Sequence, residues 1–255
     1  MRGLDNRVVI VTGGAGGIGG ATCRRFAEEG ARVCVYDLNA DGAEQLACAL
    51  RDGGARAEAA AVDITDHAAV AAAVAATEQS MGPVDVLVNN AGHDEFRPFL
   101  ATDPPFWQKI IAINLTGALN MLHAVLPGMA ERGRGRIVNV ASDAARVGSS
   151  GESVYSACKG GLVSLSKTLA REHARQGITI NTVCPGPTET ALLAGFMAGA
   201  GNPDKLAEAF RRAVPMGRLG QPGDLPGAIA FLASEDAAFI TGQVLSVSGG
   251  LTMNG

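Results

Sequence analysis

Val8-Val9-Ile10-Val11-Thr12-Gly13-Gly14-Ala15-Gly16-Gly17-Ile18-Gly19 decides how the rest of the chain is read. A β-branched run without polar alternation is a strand covered on both faces, and the glycines after it allow a tight turn straight into a helix. Such a turn lets backbone approach a pyrophosphate, whose charge meets the unpaired amides and positive end of the helix. The Gly-rich loop alone is weak evidence; its place between strand and helix is what strengthens it. Further along, Val35-Tyr36-Asp37-Leu38 ends a second strand about 20 residues past Gly17, the spacing of the acidic residue that holds a dinucleotide ribose. Asp37 can accept from both ribose hydroxyls and repels a 2′-phosphate. No Arg or Lys stands at positions 14 to 16 or directly after Asp37, so NAD is predicted over NADP. Gly13, Gly17, Ile18, Gly19, Asp37 and Leu38 are therefore candidate cofactor residues.

The same rhythm continues outward. Strands are predicted at Val8 to Thr12, Arg32 to Asp37, Glu58 to Asp63, Val84 to Asn89, Arg136 to Ser142, Ile178 to Cys184 and Val244 to Val247. Between them lie helical stretches such as Gly17 to Glu29, Asp66 to Met81, Thr116 to Arg132, Ser153 to Gln176 and Gly223 to Ser234. Strands separated by crossover helices make an α/β fold, a doubly wound (Rossmann) seven-stranded parallel sheet. Residues 1–255 read as a single domain, since no linker or charge block interrupts the alternation before residue 185. Pro185 to Arg218 breaks it with a long connection at the carboxyl end of a strand, where function collects. Residues 188–218 form either a helical substrate lid or two helices that only cap the fold.

Composition excludes several classes. A net charge of −4 with scattered Lys and Arg gives no footprint for nucleic acid, which leaves a small-molecule substrate. Five cysteines, odd in number and never in a C-x-x-C pair, suggest neither a disulfide framework nor zinc. The four histidines also lack ligand spacing, so no metal site is predicted. No apolar run approaches the ~18 residues of a membrane span. The first strand begins too early to leave room for a signal peptide, so a cytoplasmic protein that contacts no membrane is expected.

Chemistry enters with Tyr155-Ser156-Ala157-Cys158-Lys159. Residues four apart on a helix share a face, so an ammonium can stand near a phenol and, with a positive nicotinamide ring, favour the phenolate. Y-x-x-x-K is by itself a frequent accident. Here Ser142 ends the fifth strand on the ligand-binding edge, Asn89-Asn90-Ala91-Gly92 ends the fourth, and Asn114 lies in the helical region after it. With the Gly loop, Asp63 ending the third strand and Pro185-Gly186-Pro187-Thr188-Glu189-Thr190 after the sixth, the chain resembles the short-chain dehydrogenase/reductase family along essentially its whole length. The resemblance implies that Tyr155 moves the hydroxyl proton, Ser142 holds the substrate oxygen, and Lys159 binds the nicotinamide ribose while lowering the Tyr155 pKa. It implies that Asn114 positions a water on the proton path. It also assigns cofactor contacts to Asp63, Ile64, Asn90, Ala91, Gly92, Pro185, Gly186, Thr188 and Thr190. Cys158, Gly160 and Gly161 depart from the Ser and Ala common around the catalytic Lys.

Within the family, Asp94-Glu95-Phe96-Arg97-Pro98-Phe99, residues 142–152, Cys184 to Thr188 and the terminal residues 246–255 are similar to dehydrogenases of a ring β-hydroxyacyl-CoA. That likeness implies oxidation of a thioester such as 2-hydroxycyclohexanecarboxyl-CoA in alicyclic and aromatic acid degradation. Asp143, Ala144, Arg146 and Glu152 would wall the pocket, and Leu192, Leu193 and Phe196 would suit a ring. Arg97, Arg146, Lys205, Arg211 and Arg212 either rim the entrance for CoA phosphates or are solvated; Arg146 could instead brace a subunit contact. A 3-oxoacyl-[acyl-carrier-protein] reductase shares the scaffold, but Asp37 opposes its usual NADP preference. A non-catalytic dinucleotide sensor would not need Ser142, Tyr155, Lys159 and Asn114 together. Small residues along Ser153 to Gln176 permit another helix to approach closely and, with the apolar terminus, suggest a homotetramer; packing within the subunit would also explain them.

Overall fold

The computed structural model describes residues 1–199 and 202–253. Ala200 and Gly201 of the long connection, and Asn254 and Gly255 of the terminal motif, lie outside the described residues. The elements run β1 (Val8–Thr12), α1 (Gly17–Glu28), β2 (Arg32–Asp37), α2 (Ala40–Asp52), β3 (Arg56–Ala61), α3 (His67–Ser80) and β4 (Val84–Asn89). After these come α4 (Pro104–Ile111), a π-helical turn (Ala112–Thr116), α5 (Gly117–Glu131), β5 (Gly135–Val140), α6 (Ala144–Val147), α7 (Ser153–His173) and β6 (Ile178–Pro185). The chain closes with α8 (Ala191–Ala198), α9 (Pro203–Ala213), α10 (Pro226–Ala233) and β7 (Val244–Val247).

All seven strands are parallel, in the order β3-β2-β1-β4-β5-β6-β7. The reversal between β1 and β4 opens the crevice in which α/β sheets bind ligands. Every residue of β1 is buried, because alternate side chains serve the two faces. Val9 and Val11 join Phe26, Leu46 and Ile229 beneath α1, α2 and α10. Val8 and Ile10 join Val70, Met121 and Leu122 beneath α3 and α5.

Three expectations shift. The third strand starts at Arg56 and ends at Ala61, because its register pairs those residues with Arg32 and Asp37 of β2; Asp63 therefore sits on the loop beyond it. Ser142 stands past the end of β5. There the chain leaves the regular ladder, yet Ala141 N still donates to Val183 O and Asp143 N to Pro185 O. Finally, the continuous helix Pro104–Glu131 is long and apolar enough by length and composition to cross a membrane, although no such segment was expected. The helix is apolar on average without an unbroken apolar run. Met121, Leu122, Val125 and Met129 are buried against the sheet, which accounts for its composition.

Candidate active site

The glycine loop is tied to β4 before any ligand is considered. Thr12 Oγ1 accepts from Asn90 N at 3.0 Å and Ala91 N at 3.1 Å, while Asn90 Nδ2 donates to Thr12 O and Gly13 O at 3.0 and 3.2 Å. A Cβ on Gly19 would fall 2.0 Å from Gly13 O. Gly13 itself has φ +64°, and its Cβ would meet Ala91 Cα at 2.9 Å. Only glycine fits these positions, and their backbones form a bare cradle at the start of α1. At the tip of β2, Asp37 accepts from Ala15 N at 3.0 Å and Asn39 N at 2.9 Å, so one carboxylate braces the loop and still faces the crevice.

One cavity of about 730 Å³ runs from this cradle to the long connection. Its walls include each cofactor candidate: Gly13, Gly17, Ile18, Gly19, Asp37, Leu38, Asp63, Ile64, Asn90, Ala91, Gly92, Pro185, Gly186, Thr188 and Thr190, together with Tyr155 and Lys159. A carboxylate at one end, bare glycine backbone in the middle and a buried ammonium beyond fit a dinucleotide's adenosine ribose, pyrophosphate and second ribose in turn. Asp63 spends one oxygen on Thr65, accepting from its amide at 2.8 Å and its hydroxyl at 2.7 Å. Those bonds hold its carboxyl below the usual range. Thr190 Oγ1 accepts from Leu193 N at 3.2 Å and so caps α8.

At the far end Ser142, Asp143, Ala144, Glu152, Leu192, Leu193 and Phe196 also line the cavity. Arg146 does not. Its Nη1 donates to Ser246 Oγ at 2.8 Å, because the short helix α6 turns it toward β7 rather than inward. Asn114 is likewise behind the wall, 1% exposed. Its Nδ2 donates to His93 O at 2.7 Å and Ile110 O at 2.9 Å, and its Oδ1 accepts from His93 N at 3.2 Å. The π turn that carries it is a distortion often found at functional sites. A Cβ on Gly92 would stand 3.0 Å from Asn114 Oδ1 and 3.3 Å from Lys159 Nζ; the missing methyl keeps those two groups in one space.

The electrostatics correct the simple picture of a phenol acidified by its ammonium neighbour. Burial pushes the Tyr155 phenol up, Glu152 and Asp94 push it further, and a hydrogen bond from Ser142 opposes them. Burial brings Lys159 down to about 8. Its Nζ donates to Val140 O at 3.0 Å and lies 5.6 Å from the Tyr155 ring centroid. Two buried groups of this kind each resist ionisation, and the lysine is anchored to the end of β5 instead of to the phenolic oxygen.

The family described as enoyl-(acyl carrier protein) reductase matches residues 13–252, the whole of this arrangement. The chain belongs to the short-chain dehydrogenase/reductase family. It is 44% identical to a cis-4-hydroxycyclohexanecarboxylate dehydrogenase of Sinomonas cyclohexanicum, over 96% of each chain. It is 39% identical to an acetoacetyl-CoA reductase of Rhizobium meliloti, over 96% of this chain and 98% of the relative. Among solved structures, a 3-ketoacyl-(acyl-carrier-protein) reductase from Brucella melitensis complexed with NADH superposes with a TM-score of 0.90 at 35% identity, covering 98% of this chain and 100% of that one.

Within this short-chain dehydrogenase/reductase, several wall residues were assigned no role from the sequence. His93, Lys109 and Phe210 line the cavity, as do Asp94 and Val147, which lie in the matching stretches without a role of their own. Lys109 is a wall cation that the reading of basic residues passed over, since it is brought in from α4. Of the five proposed for the rim, Arg211 and Arg212 pair with Glu208 on α9, and Arg97 lies over Phe106 while bonding Glu95. None of the five is a wall residue.

Proposed function

We propose that this chain is an NAD-dependent dehydrogenase that oxidises the secondary alcohol of a ring β-hydroxyacyl-CoA, such as 2-hydroxycyclohexanecarboxyl-CoA, to the corresponding ketone. One observation carries the reading: Ser142 and Tyr155 share a cavity with the apolar side chains Leu192, Leu193, Phe196, Phe210 and Val147, a wall suited to an alicyclic ring. Phe196 is itself seated edge-on against Phe96, with centroids 5.3 Å apart, which supports α8 as part of a lid packed on the loop after β4. Relatives whose names carry a hydroxycyclohexane acid and a β-oxoacyl-CoA support ring and thioester respectively.

NAD, when bound, accepts the hydride and brings a positive ring that offsets the burial holding Tyr155 neutral. The chain's residues do the rest. Ser142 orients the alcohol oxygen, Tyr155 takes its proton, and Lys159, with a pKa near 8, is poised to hold or release a proton on the inner side. Asn114 fixes His93 and the π turn, and is a positioning residue in this scheme. Asp37 at the cradle's edge supports NAD over NADP. Exposed Phe239, Leu100 and Leu245 support burial between subunits of a cytoplasmic homotetramer, which a solution mass measurement tests.

The decisive assay compares hydroxyacyl-CoA thioesters, free hydroxy acids and simple alcohols with NAD and NADP at equal concentration. Preferred turnover of the ring thioester with NAD is the expected result; preference for free alcohols sinks the CoA assignment. A second reading, reduction of an oxoacyl group on acyl carrier protein, is favoured by the 35% identical Brucella reductase and predicts turnover of the carrier-protein thioester in the same panel.

A further inference from the structure

The substrate half of the cavity holds two acids that the proposed mechanism does not use. Asp94 is 6% exposed, and its Oδ2 is buried without any donor. The side chain that acts most on it is another carboxyl, Glu152, which lines the same cavity, and two neighbouring carboxylates satisfy each other only through a proton held between them. Burial and Glu152 together raise the Asp94 carboxyl to about 8, in keeping with one proton shared near neutral pH.

The surrounding backbone builds this meeting. Arg97 N donates to Gly151 O at 3.0 Å, and the Phe96 ring packs so closely on Gly151 that a Cβ there would lie 2.4 Å from Cε2. These contacts zip the loop after β4 to the loop before α7. Glu152 stands at the N-cap of α7 yet makes no side-chain capping bond, so its carboxylate is left for Asp94. The nearby basic side chains are bonded elsewhere: His93, Arg97 and Lys109 all pair with Glu95, and Lys159, which feels the Asp94 charge, donates to Val140 O. Among the described residues, no Lys, Arg or His forms an ion pair with Asp94 or Glu152. Both acids line the cavity beside Tyr155, and both act on its ionisation.

We propose that Asp94 and Glu152 form a charge filter: a carboxyl pair sharing one proton that admits substrates with an uncharged acyl group and rejects those presenting a free carboxylate beside the reacting carbinol. A net negative charge that no cation meets in ion-pair contact repels a second carboxylate a few ångströms away. At the effective permittivity of a partly buried site, such repulsion is worth on the order of 100-fold in affinity. An ester or thioester carbonyl carries no charge and escapes it. The inference rests on the reading of this site as a ring hydroxyacyl dehydrogenase and names the form of acyl group it takes.

The test assays the full-length enzyme, saturated with NAD, on 2-hydroxycyclohexanecarboxylate and on its neutral methyl ester. The wild type should favour the ester in kcat/KM by about 100-fold. Glu152→Gln and Asp94→Asn, which keep shape and hydrogen bonding, should each narrow that ratio to within about tenfold, mainly through a lower KM for the free acid. An unchanged ratio in both variants with ester turnover retained overturns the proposal, as does a wild type that prefers the free acid. A second measurement needs no variant. The non-reacting cyclohexanecarboxylate should inhibit ester oxidation far more weakly than cyclohexanecarboxamide, and equal inhibition constants overturn the filter. The CoA reading is judged separately, by whether the thioester outpaces the methyl ester, so the two fail independently.

Discussion

Lys159 Nζ donates to the Val140 carbonyl at 3.0 Å, and the Tyr155 ring centroid lies 5.6 Å from it. Strand β5 thus fixes the ammonium beside the phenol without a direct bond between their polar atoms. The two side chains should separate cleanly in mutants. Tyr155→Phe removes the proton-transfer group and is expected to lower kcat by about 10²- to 10⁴-fold, leaving NAD affinity within about twofold. Lys159→Met should weaken NAD binding as well. Fluorescence titration of NAD alongside steady-state kinetics distinguishes the patterns; a Tyr155→Phe enzyme with near-normal kcat contradicts the assignment.

Asn114 satisfies three backbone groups from a fully buried position. Truncation to Ala removes the partner of the His93 N–H and weakens the satisfaction of the His93 and Ile110 carbonyls, leaving Ile110 O the long bond from Cys158 Sγ, at about 1–3 kcal/mol for a buried group left unpaired. Asn114→Ala is therefore expected to lower Tm and to reduce kcat more than it raises KM. A variant with unchanged Tm and kcat shows that the π turn holds its shape by other means.

Asp37 serves both the loop and the coenzyme choice. Asp37→Ala removes the carboxylate that repels a 2′-phosphate and should shift the kcat/KM ratio of NAD to NADP toward NADP by at least about tenfold. Its bonds to Ala15 N and Asn39 N are lost too, so affinity for NAD itself should also fall. A wild type that prefers NADP from the outset overturns this view of Asp37.

The acid at position 94 makes stability depend on pH in a direction opposite to most carboxylates. Its folded pKa is raised, to about 8, above the unfolded value of about 3.9. The folded state then binds the proton more tightly than the unfolded state. Its contribution to stability is complete below pH ~4 and is lost as pH rises toward 8. Asp94→Asn, neutral throughout, should gain in Tm relative to wild type as pH increases across that window. Thermal melts at pH 5 and pH 8 measure the difference, and a gain that is larger at pH 5 reverses the sign and excludes the raised pKa.

Chain order and local chemistry made much of this molecule readable from residues alone. β1 and the loop after it were legible because glycine at Gly13 and Gly19 answers a backbone demand that no other residue meets. Tyr155 and Lys159 were legible because helical spacing fixes neighbours within one element. The seven parallel strands followed from apolar runs alternating with helices, although hydrogen-bond register moved the ends of β3 and β5 by about two residues.

What tertiary structure alone decided lies between elements. Asp94 and Glu152 are far apart in sequence, and nothing local says that they meet; the packing of Phe96 on Gly151 and the bond from Arg97 N to Gly151 O join their loops, and burial desolvates Asp94. Lys109 enters the cavity wall from α4, while Arg146, close to Ser142 along the chain, turns out toward Ser246. The ionisation of Tyr155 also reversed direction once burial was known. Spacing along a chain reports which side chains share an element, whereas solvation depends on everything packed around them, and no local pattern encodes that.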